Sequence, residues 1–390
     1  MISLEQKLQS LRENSKGRKI RIMIMGLGSV GHYLLDYLCS GHLDDIEIIA
    51  VGRNEEKMRS DINIVRVSAL IRHQIRSNVR CYSGVDFESV ESIRRCLAEC
   101  EPDIIVNSSR AYPGLKYGSI SWKNFRAYGI WTPLSIKFVK NIMAAYDGCG
   151  CRAVVINTSY SDAVIPWMKS AGKTYPDFGS GNINHLIPRI KYAISEIKGI
   201  DDYWNIDVTM AVSHFHDVVI SKEGQTEGVD PLIVSKYKGK TIDVDYKDVY
   251  SRCSISMPVD GKRNMMNASS DYEIIKSIIE CVRENKRVKL HIPGAFGMIG
   301  GYPVILDGTS EKIRAFVDES DFKLEDMNKV NSRSIYLDGI EGVDSGTLTY
   351  SDELIEKVRS RYGIDLPKKV EYGRIDDVAE YLIENVIQKS

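Results

Sequence analysis

Apolar and polar residues alternate in a telling way from the start of the chain. In KIRIMIM, Ile20, Ile22 and Ile24 alternate with Arg21 and Met23, and GLGSVG and HYLLDYL follow directly. A nearly unbroken apolar run suits a strand buried in a parallel sheet, so residues 19–38 read as strand, tight turn, helix. IEIIAV (46–51) reads as a second strand, FESVESIRRCLAEC (87–100) as an amphipathic helix, and DIIVNSS (103–109) as a further strand. Residues 122–146 read as largely helical, with Pro133 as a break or first-turn residue, and RAVVINTS (152–159) as another strand. Strands alternating with helices predict an α/β fold with a parallel, doubly wound sheet.

The pattern changes near residue 165. HLIPRIKYAISEIKG reads as a helix, NIDVTMAVSH as an alternating strand and DYEIIKSIIECVREN as a long helix; KRVKLHIP and GYPVILDG read as later strands. DELIEKVRSRYG and IDDVAEYLIENVIQK read as two amphipathic helices near the C-terminus. Three segments are expected: an N-terminal arm over residues 1–18 carrying a short amphipathic helix at 3–15, a doubly wound domain over 19–165, and a mixed α+β domain over 166–390 with extra C-terminal helices.

Composition narrows the function classes. The 390 residues are 43% hydrophobic and 27% charged, with a formal net charge of -1, ordinary values for a globular protein. That balance gives no electrostatic case for nucleic acid or an anionic membrane surface. The N-terminal stretch is polar, without the apolar centre of a signal peptide, and no apolar run reaches membrane-spanning length. A cytoplasmic protein is expected, with its eight cysteines reduced. Cys149 and Cys151 are the only closely spaced pair, and no histidine pair follows at zinc-site spacing, so no metal is expected.

Gly26-Leu27-Gly28-Ser29-Val30-Gly31 is a G-x-G-x-x-G between a strand and a helix. In that frame the first glycine permits the turn, the second admits a pyrophosphate, and the third lets helix and strand pack closely. The helix N-terminus offers free N–H groups to phosphate. The expected cofactor residues are Gly26, Gly28, Ser29, Val30 and Gly31, with Asn107, Ser108 and Ser109 at a neighbouring strand end. The second strand runs into Gly52-Arg53-Asn54. An acidic residue there would bond the ribose hydroxyls of NAD and repel a 2′-phosphate. Gly52 removes that repulsion, Arg53 offers a planar fork of donors, and Asn54 adds a neutral donor. NADP is therefore expected, with NAD the other possibility; a solvated loop arginine is the competing reading of Arg53.

The chain resembles the lactate/malate dehydrogenase superfamily over roughly residues 19–310, through an ordered set of segments. GLGSVG looks like its glycine turn and VGRNEEK like its V-D-x-N-E-x-K, with the Asp lost. YPGLKYG looks like the P-G-x-x-R start of its mobile loop, and VVINTSYSDAV like its strand ending in N-P-x-D. RIKYAISEIKGI looks like its R-F-R-x-x-[LI]-[AS]-E-x-x-G-V helix, MAVSHFHD stands where it has G-E-H-G-D, and IPGAFGMIGGYPVILDG looks like its later hairpin. The resemblance implies a Rossmann domain, a second substrate domain, NAD(P)-dependent hydride transfer to a small molecule, and a homo-oligomer, dimer or tetramer.

It also implies roles for individual residues. Asn157 matches the asparagine that meets substrate and nicotinamide, and Arg189 the arginine that grips a substrate carboxylate bidentately. The proton donor falls at His214 or His216, both placed at the end of the NIDVTMAVSH strand, where alternate positions share a face. Two departures stand out. The position of the acid that orients the histidine holds Leu186, with Asn184 and His185 nearby. The loop arginine that polarises the carbonyl is replaced by Lys116 or Tyr117, with Arg110 slightly upstream. The expectation is an NADP-dependent reductase of a polar, carboxylate-bearing carbonyl or imine compound. The alternative is a dinucleotide-binding sensor or subunit that has lost the His-Asp relay. A short-chain dehydrogenase would need Tyr-x-x-x-Lys, but Tyr128 is followed by Thr132 and Tyr192 by Glu196.

Overall fold

The computed structural model describes residues 2–41, 43–75, 77–181 and 183–390. At its centre lie β1 (Ile20–Met25), β2 (Ile46–Val51), β3 (Asn78–Tyr82), β4 (Ile104–Asn107), β5 (Val154–Asn157) and β6 (Phe178–Gly179), in the order β3-β2-β1-β4-β5-β6. All neighbouring pairs are parallel. This is a Rossmann-like sheet, and the strand order reverses between β1 and β4, where such sheets leave a crevice at their C-terminal edge.

Both faces of the sheet are apolar, which explains the nearly continuous hydrophobic strands. Ile22, Ile24, Ile48 and Val106 point into a core shared with α2 (Ser29–Ser40) and α3 (Glu55–Ile71). Met23, Met25, Ile49 and Ile105 point into the opposite core, with α4 (Val90–Cys100) and, beyond the short α5 (Gly114–Ile120), α6 (Thr132–Gly148). The helix expected from residue 122 starts as regular α-helix only at Thr132. Before it, Ser121–Phe125 makes one wide turn, Arg126 adopts φ 54°, and Gly129–Trp131 makes a tight turn. Pro133 stands in the first turn of α6, where its missing N–H costs nothing.

The N-terminal segment is not a free arm. Helix α1 (Leu4–Asn14) buries Leu8 and Leu11, Lys7 pairs with Asp177 at 2.8 Å, and Arg12 donates to the carbonyls of Cys281, Gly308, Ser310 and Glu311.

Beyond β5 the chain runs through α7 (Ser161–Ser170), α8 (Ile183–Lys198), β7 (Ile206–Ala211), α9 (His214–Glu223), β8 (Leu232–Tyr237), β9 (Lys240–Thr241), α10 (Tyr246–Cys253) and α11 (Asn264–Arg283). The strands β10 (Arg287–Pro293), β11 (Gly301–Asp307) and β12 (Arg314–Val317) follow, then α12 (Leu324–Leu337), β13 (Ile340–Asp344), β14 (Thr347–Tyr350), α13 (Asp352–Tyr362), β15 (Lys369–Glu371) and α14 (Ile375–Leu382). The late strands form three small antiparallel sheets, β7-β8-β9, β10-β11-β12 and β13-β14-β15. The last of these, with α14 packed on α6, closes the second core: Ile340, Leu348, Leu354 and Leu382 join the residues under α4 and α6. Helix α6 is therefore buried on most sides, as its broad apolar surface requires.

The strand expected over NIDVTMAVSH ends early, at Ala211. His214 instead opens α9, and its backbone N–H donates to Asp162 Oδ1 at 3.0 Å. Among the described residues no helix is long and apolar enough to cross a membrane.

Candidate functional site

Four strand ends of the parallel sheet feed one cavity of about 830 Å³. Gly26 to Val30 line it after β1, Gly52 to Asn54 after β2, Ser108 to Arg110 after β4, and Thr158 and Tyr160 after β5. From the later chain come His185 and Arg189 on α8, His214 and Asp217 on α9, Arg263 before α11, and Asp338 after α12.

The glycine turn is built for close approach. Gly26 has φ +98°, and a Cβ there would lie 2.8 Å from Ser109 Cα. At Gly31 a Cβ would meet Gly26 O at 2.3 Å, which sets the tight helix–strand packing. A Cβ on Gly28 would touch nothing in the chain, so internal packing does not demand a glycine there. Helix α2 begins at Ser29 with no side-chain cap and no acidic residue in its first turn. Its N–H groups and partial positive charge thus remain for an anion. Ser108 Oγ donates to Gly26 O at 2.7 Å and holds the turn to β4. After β2, Asn54 caps α3, its Oδ1 accepting from Lys57 N at 2.9 Å, so only its amide N–H groups are left over. Arg53 is exposed at the rim, and among the described residues it has no ion-pair partner.

Asn157 and Asn107 are elsewhere employed. Asn107 donates to Asn157 Oδ1 at 3.0 Å and accepts from Ser109; Asn157 donates to Ser159 O and Ser161 Oγ. Both are buried and neither lines the cavity. Together they tie β4 to β5.

The two histidines part company because they lie on a helix. Positions two apart on a helix point about 200° away from each other, whereas on the expected strand they would share a face. His216 is fully buried away from the cavity, with Nδ1 bonded to Ser334 Oγ at 2.8 Å and Nε2 to Glu227 O at 3.0 Å. Burial pushes its pKa down to about 4, so it is a neutral packing residue. His214 lines the cavity, and its Nδ1 lies 2.8 Å from Asp338 Oδ2. Burial works to lower its pKa, but the Asp338 carboxylate, helped by Asp162 and Asp217, outweighs that and the net shift is upward.

Asp338 is the carboxylate that the Leu186 position lacks. Leu186 itself is buried in the core around α8. Asp338 caps the C-terminus of α12. Its Oδ2 also accepts from Tyr160 OH at 2.7 Å, and its Oδ1 from Tyr128 N at 2.6 Å. The rings of Tyr128 and Tyr160 pack against the imidazole at 4.9 Å and 5.2 Å. Tyr160 adopts a left-handed backbone, φ 43° and ψ 52°, an unfavourable conformation for tyrosine of the kind that collects at functional sites.

Lys116 is exposed, with its ammonium 6.0 Å from the Tyr112 ring centroid, and Tyr117 is buried behind the cavity wall; neither lines it. Arg110 lines it instead. Its Nη1 donates to Tyr117 OH at 3.1 Å, and Tyr128 is a second hydroxyl partner. A Cβ at Gly114 would fall 2.4 Å from that Nη1, so the Pro113-Gly114 turn is shaped around the guanidinium. Arg189 is only 4% exposed, and its fork is committed: Nη1 donates to Cys253 O at 2.9 Å and Nη2 lies 3.1 Å from Met257 Sδ. It does not present both Nη groups to a ligand.

Asp338 and Tyr160 are not marked by any local sequence signal, Tyr128 entered only as a tyrosine lacking the short-chain dehydrogenase lysine, and Arg110 was visible only as a neighbour of the expected position. Among the described residues no cluster of His, Cys, Asp and Glu side chains is arranged to hold a metal, and all eight cysteines are free. No known family model matches the chain, and no curated protein matches it.

Proposed function

We propose that the chain is an NADP-dependent oxidoreductase acting on a carbonyl or imine carbon of a polar small molecule, as the resemblance to lactate/malate dehydrogenases suggests. The observation that carries this reading is the His214–Asp338 pair opening on the cavity that also holds the glycine turn and Arg53. The residues present fit the nucleotide: an uncapped helix N-terminus for its pyrophosphate, a Gly28 that no packing requires, and unpaired Arg53, with Lys57 and Asn54 beside it, for its 2′-phosphate. NADPH, when bound, supplies the hydride.

The chain's own residues supply the rest. With Nδ1 fixed by Asp338, His214 has Nε2 left to donate a proton to the developing alkoxide or amine. The raised pKa keeps that proton available near neutral pH. Arg110, held by two tyrosine hydroxyls, polarises the substrate's oxygen or nitrogen in the role first given to Lys116 or Tyr117. Tyr128 and Tyr160 keep water from the imidazole. The sensor reading rested on a missing relay carboxylate, and Asp338 weakens that ground. A homo-oligomer is supported by the apolar stripe Ile64, Val67, Leu70 and Ile71, exposed on α3; light scattering that returned a monomer would remove it.

The deciding experiment is titration with NADPH and NADH, read by nucleotide fluorescence, for the native protein and Arg53→Ala. Tight NADPH binding is expected, weakened about tenfold or more in the variant, with NADH little changed. Binding of neither nucleotide would refute the proposal.

A further inference from the structure

One end of the cavity carries charge that this mechanism leaves unused. Arg189 on α8, Lys222 on α9 and Arg263 before α11 all line it. None of the three has a carboxylate within ion-pair distance among the described residues. The Lys222 ammonium instead lies 4.9 Å from the Trp122 ring centroid. After burial, repulsion from Arg263 helps hold the pKa of both Arg189 and Lys222 below their ordinary values, so the three charges share one neighbourhood. The acid facing Arg189 is Asp217, 3.7 Å from His185 Nδ1. Lining this end, three cations face one carboxylate, and Glu223, the acid acting on Lys222, is already paired with Arg126 outside the lining. Two buried polar atoms here also lack partners, Arg189 Nε and His185 Nε2. An unsatisfied buried donor is costly, and one in a binding cavity points to a ligand.

Resting on the reductase reading, we infer that the substrate carries a phosphate monoester, gripped by Arg189 Nε, Lys222 Nζ and the Arg263 guanidinium. A carboxylate is planar, singly charged and best held by a free guanidinium fork. Arg189 has turned that fork into the fold. A phosphate monoester carries close to two negative charges and three strong acceptor oxygens. It matches the uncompensated charge and single donors arriving from three different elements. On the reductase reading the adenosine 2′-phosphate is assigned to Arg53, which follows β2, a different part of the lining from α8, α9 and the turn before α11. Arg263 is joined to that turn through the next residue, since Asn264 donates to Ser29 Oγ. Asp217 acts on both Arg189 and His214, which ties the cation cluster to the proton donor's side of the site.

The test is calorimetric titration of the NADPH-saturated protein with methyl phosphate, inorganic phosphate, malonate and acetate, above the second pKa of phosphate. Methyl phosphate is expected to bind at least about tenfold more tightly than acetate or malonate. Arg263→Ala and Lys222→Met should each weaken it about tenfold, and Arg94→Ala, an exposed arginine outside the cavity, should leave it unchanged. Malonate or acetate binding as well as methyl phosphate would overturn the inference, as would an Arg263→Ala variant with unchanged affinity. Binding of inorganic phosphate but not methyl phosphate would assign the subsite to the free ion and overturn the substrate assignment. If NADPH itself fails to bind, the same titration of nucleotide-free Arg53→Ala separates the two questions. Phosphate binding lost on adding Arg263→Ala would then keep the subsite while the reductase reading falls.

Discussion

Asp338→Asn removes one charge from the site and almost no volume. Asp338 Oδ2 accepts from His214 Nδ1 at 2.8 Å and from Tyr160 OH at 2.7 Å, while Oδ1 accepts from Tyr128 N at 2.6 Å. An amide must turn its NH2 toward one of these donors, so at least one buried hydrogen bond is lost, a cost of about 1–3 kcal/mol. The electrostatic effect is separate. A carboxylate this close favours the protonated imidazole and raises its pKa. Without it only the weaker pull of Asp162 and Asp217 opposes burial, and the His214 pKa should fall. The assay is the histidine Cε1–H chemical shift followed by NMR against pH, with His214 assigned among the seven histidines by a His214→Gln variant. In the native protein His214 should titrate above 6.5, and in Asp338→Asn distinctly lower, while His216 stays far below its ordinary value in both. The stability sign follows. A histidine with a raised folded pKa adds stability in full below its unfolded pKa, and this is lost as pH rises through the folded value. The stability gap between native protein and variant should therefore widen toward acid pH. A native His214 pKa at or below 6.5, or one unmoved by the substitution, would refute the role given to Asp338.

Two further outcomes are expected. Gly114→Ala puts a methyl 2.4 Å from Arg110 Nη1, the movable end of a long side chain, so the guanidinium should shift while the fold barely notices. Melting temperature and NADPH affinity should hold, while NADPH oxidation with any accepted substrate falls about a hundredfold, the scale of a 1 Å misplacement; unchanged turnover would exclude Arg110. Asp271 is fully buried, accepts among the described residues only from Ser180 Oγ, and burial pushes its pKa up to about 8. The folded protein then holds a proton that the unfolded chain releases near pH 3.8, so native stability should fall as pH rises from about 4 to 8. Asp271→Asn should remove that slope and stabilise at neutral pH by up to about 4 kcal/mol; denaturant melts across this range check both.

The legible parts of the molecule were those whose cause is local. β1 and β2 announce themselves because a doubly buried strand must be apolar at every position, and the glycine turn because helix, strand and turn abut within six residues. The hairpin of β10 and β11 was visible for the same reason. His214 and His216 were misplaced because apolar alternation in NIDVTMAV extends only to Ala211, after which Asp162, far away in sequence, claims the His214 amide and starts a helix. Arg110 was undervalued because its significance lies in what surrounds it: Tyr117, Tyr128 and the bare Cα of Gly114. Asp338 was invisible because it lies 124 residues from His214, in an Asp-Gly helix ending that resembles any other. Lys222 and Arg263 likewise look like surface charges until α9 and the turn before α11 bring them beside Arg189.

The late closure of the second core bears on how the chain is made. During synthesis the N-terminal strands and α6 leave the ribosome long before Ile340, Leu348 and Leu382, which cover them. Until those residues emerge, one flank of the sheet has its apolar helix without a cover, and His214 lacks Asp338. Long-range closure of this kind is slow, and exposed apolar surface invites aggregation while it is pending. A nascent chain stalled before residue 338 would be sticky and, on the proposed reading, without the Asp338 that sets up His214, so the proposed proton donor is completed only with the segment that makes the protein safe to release.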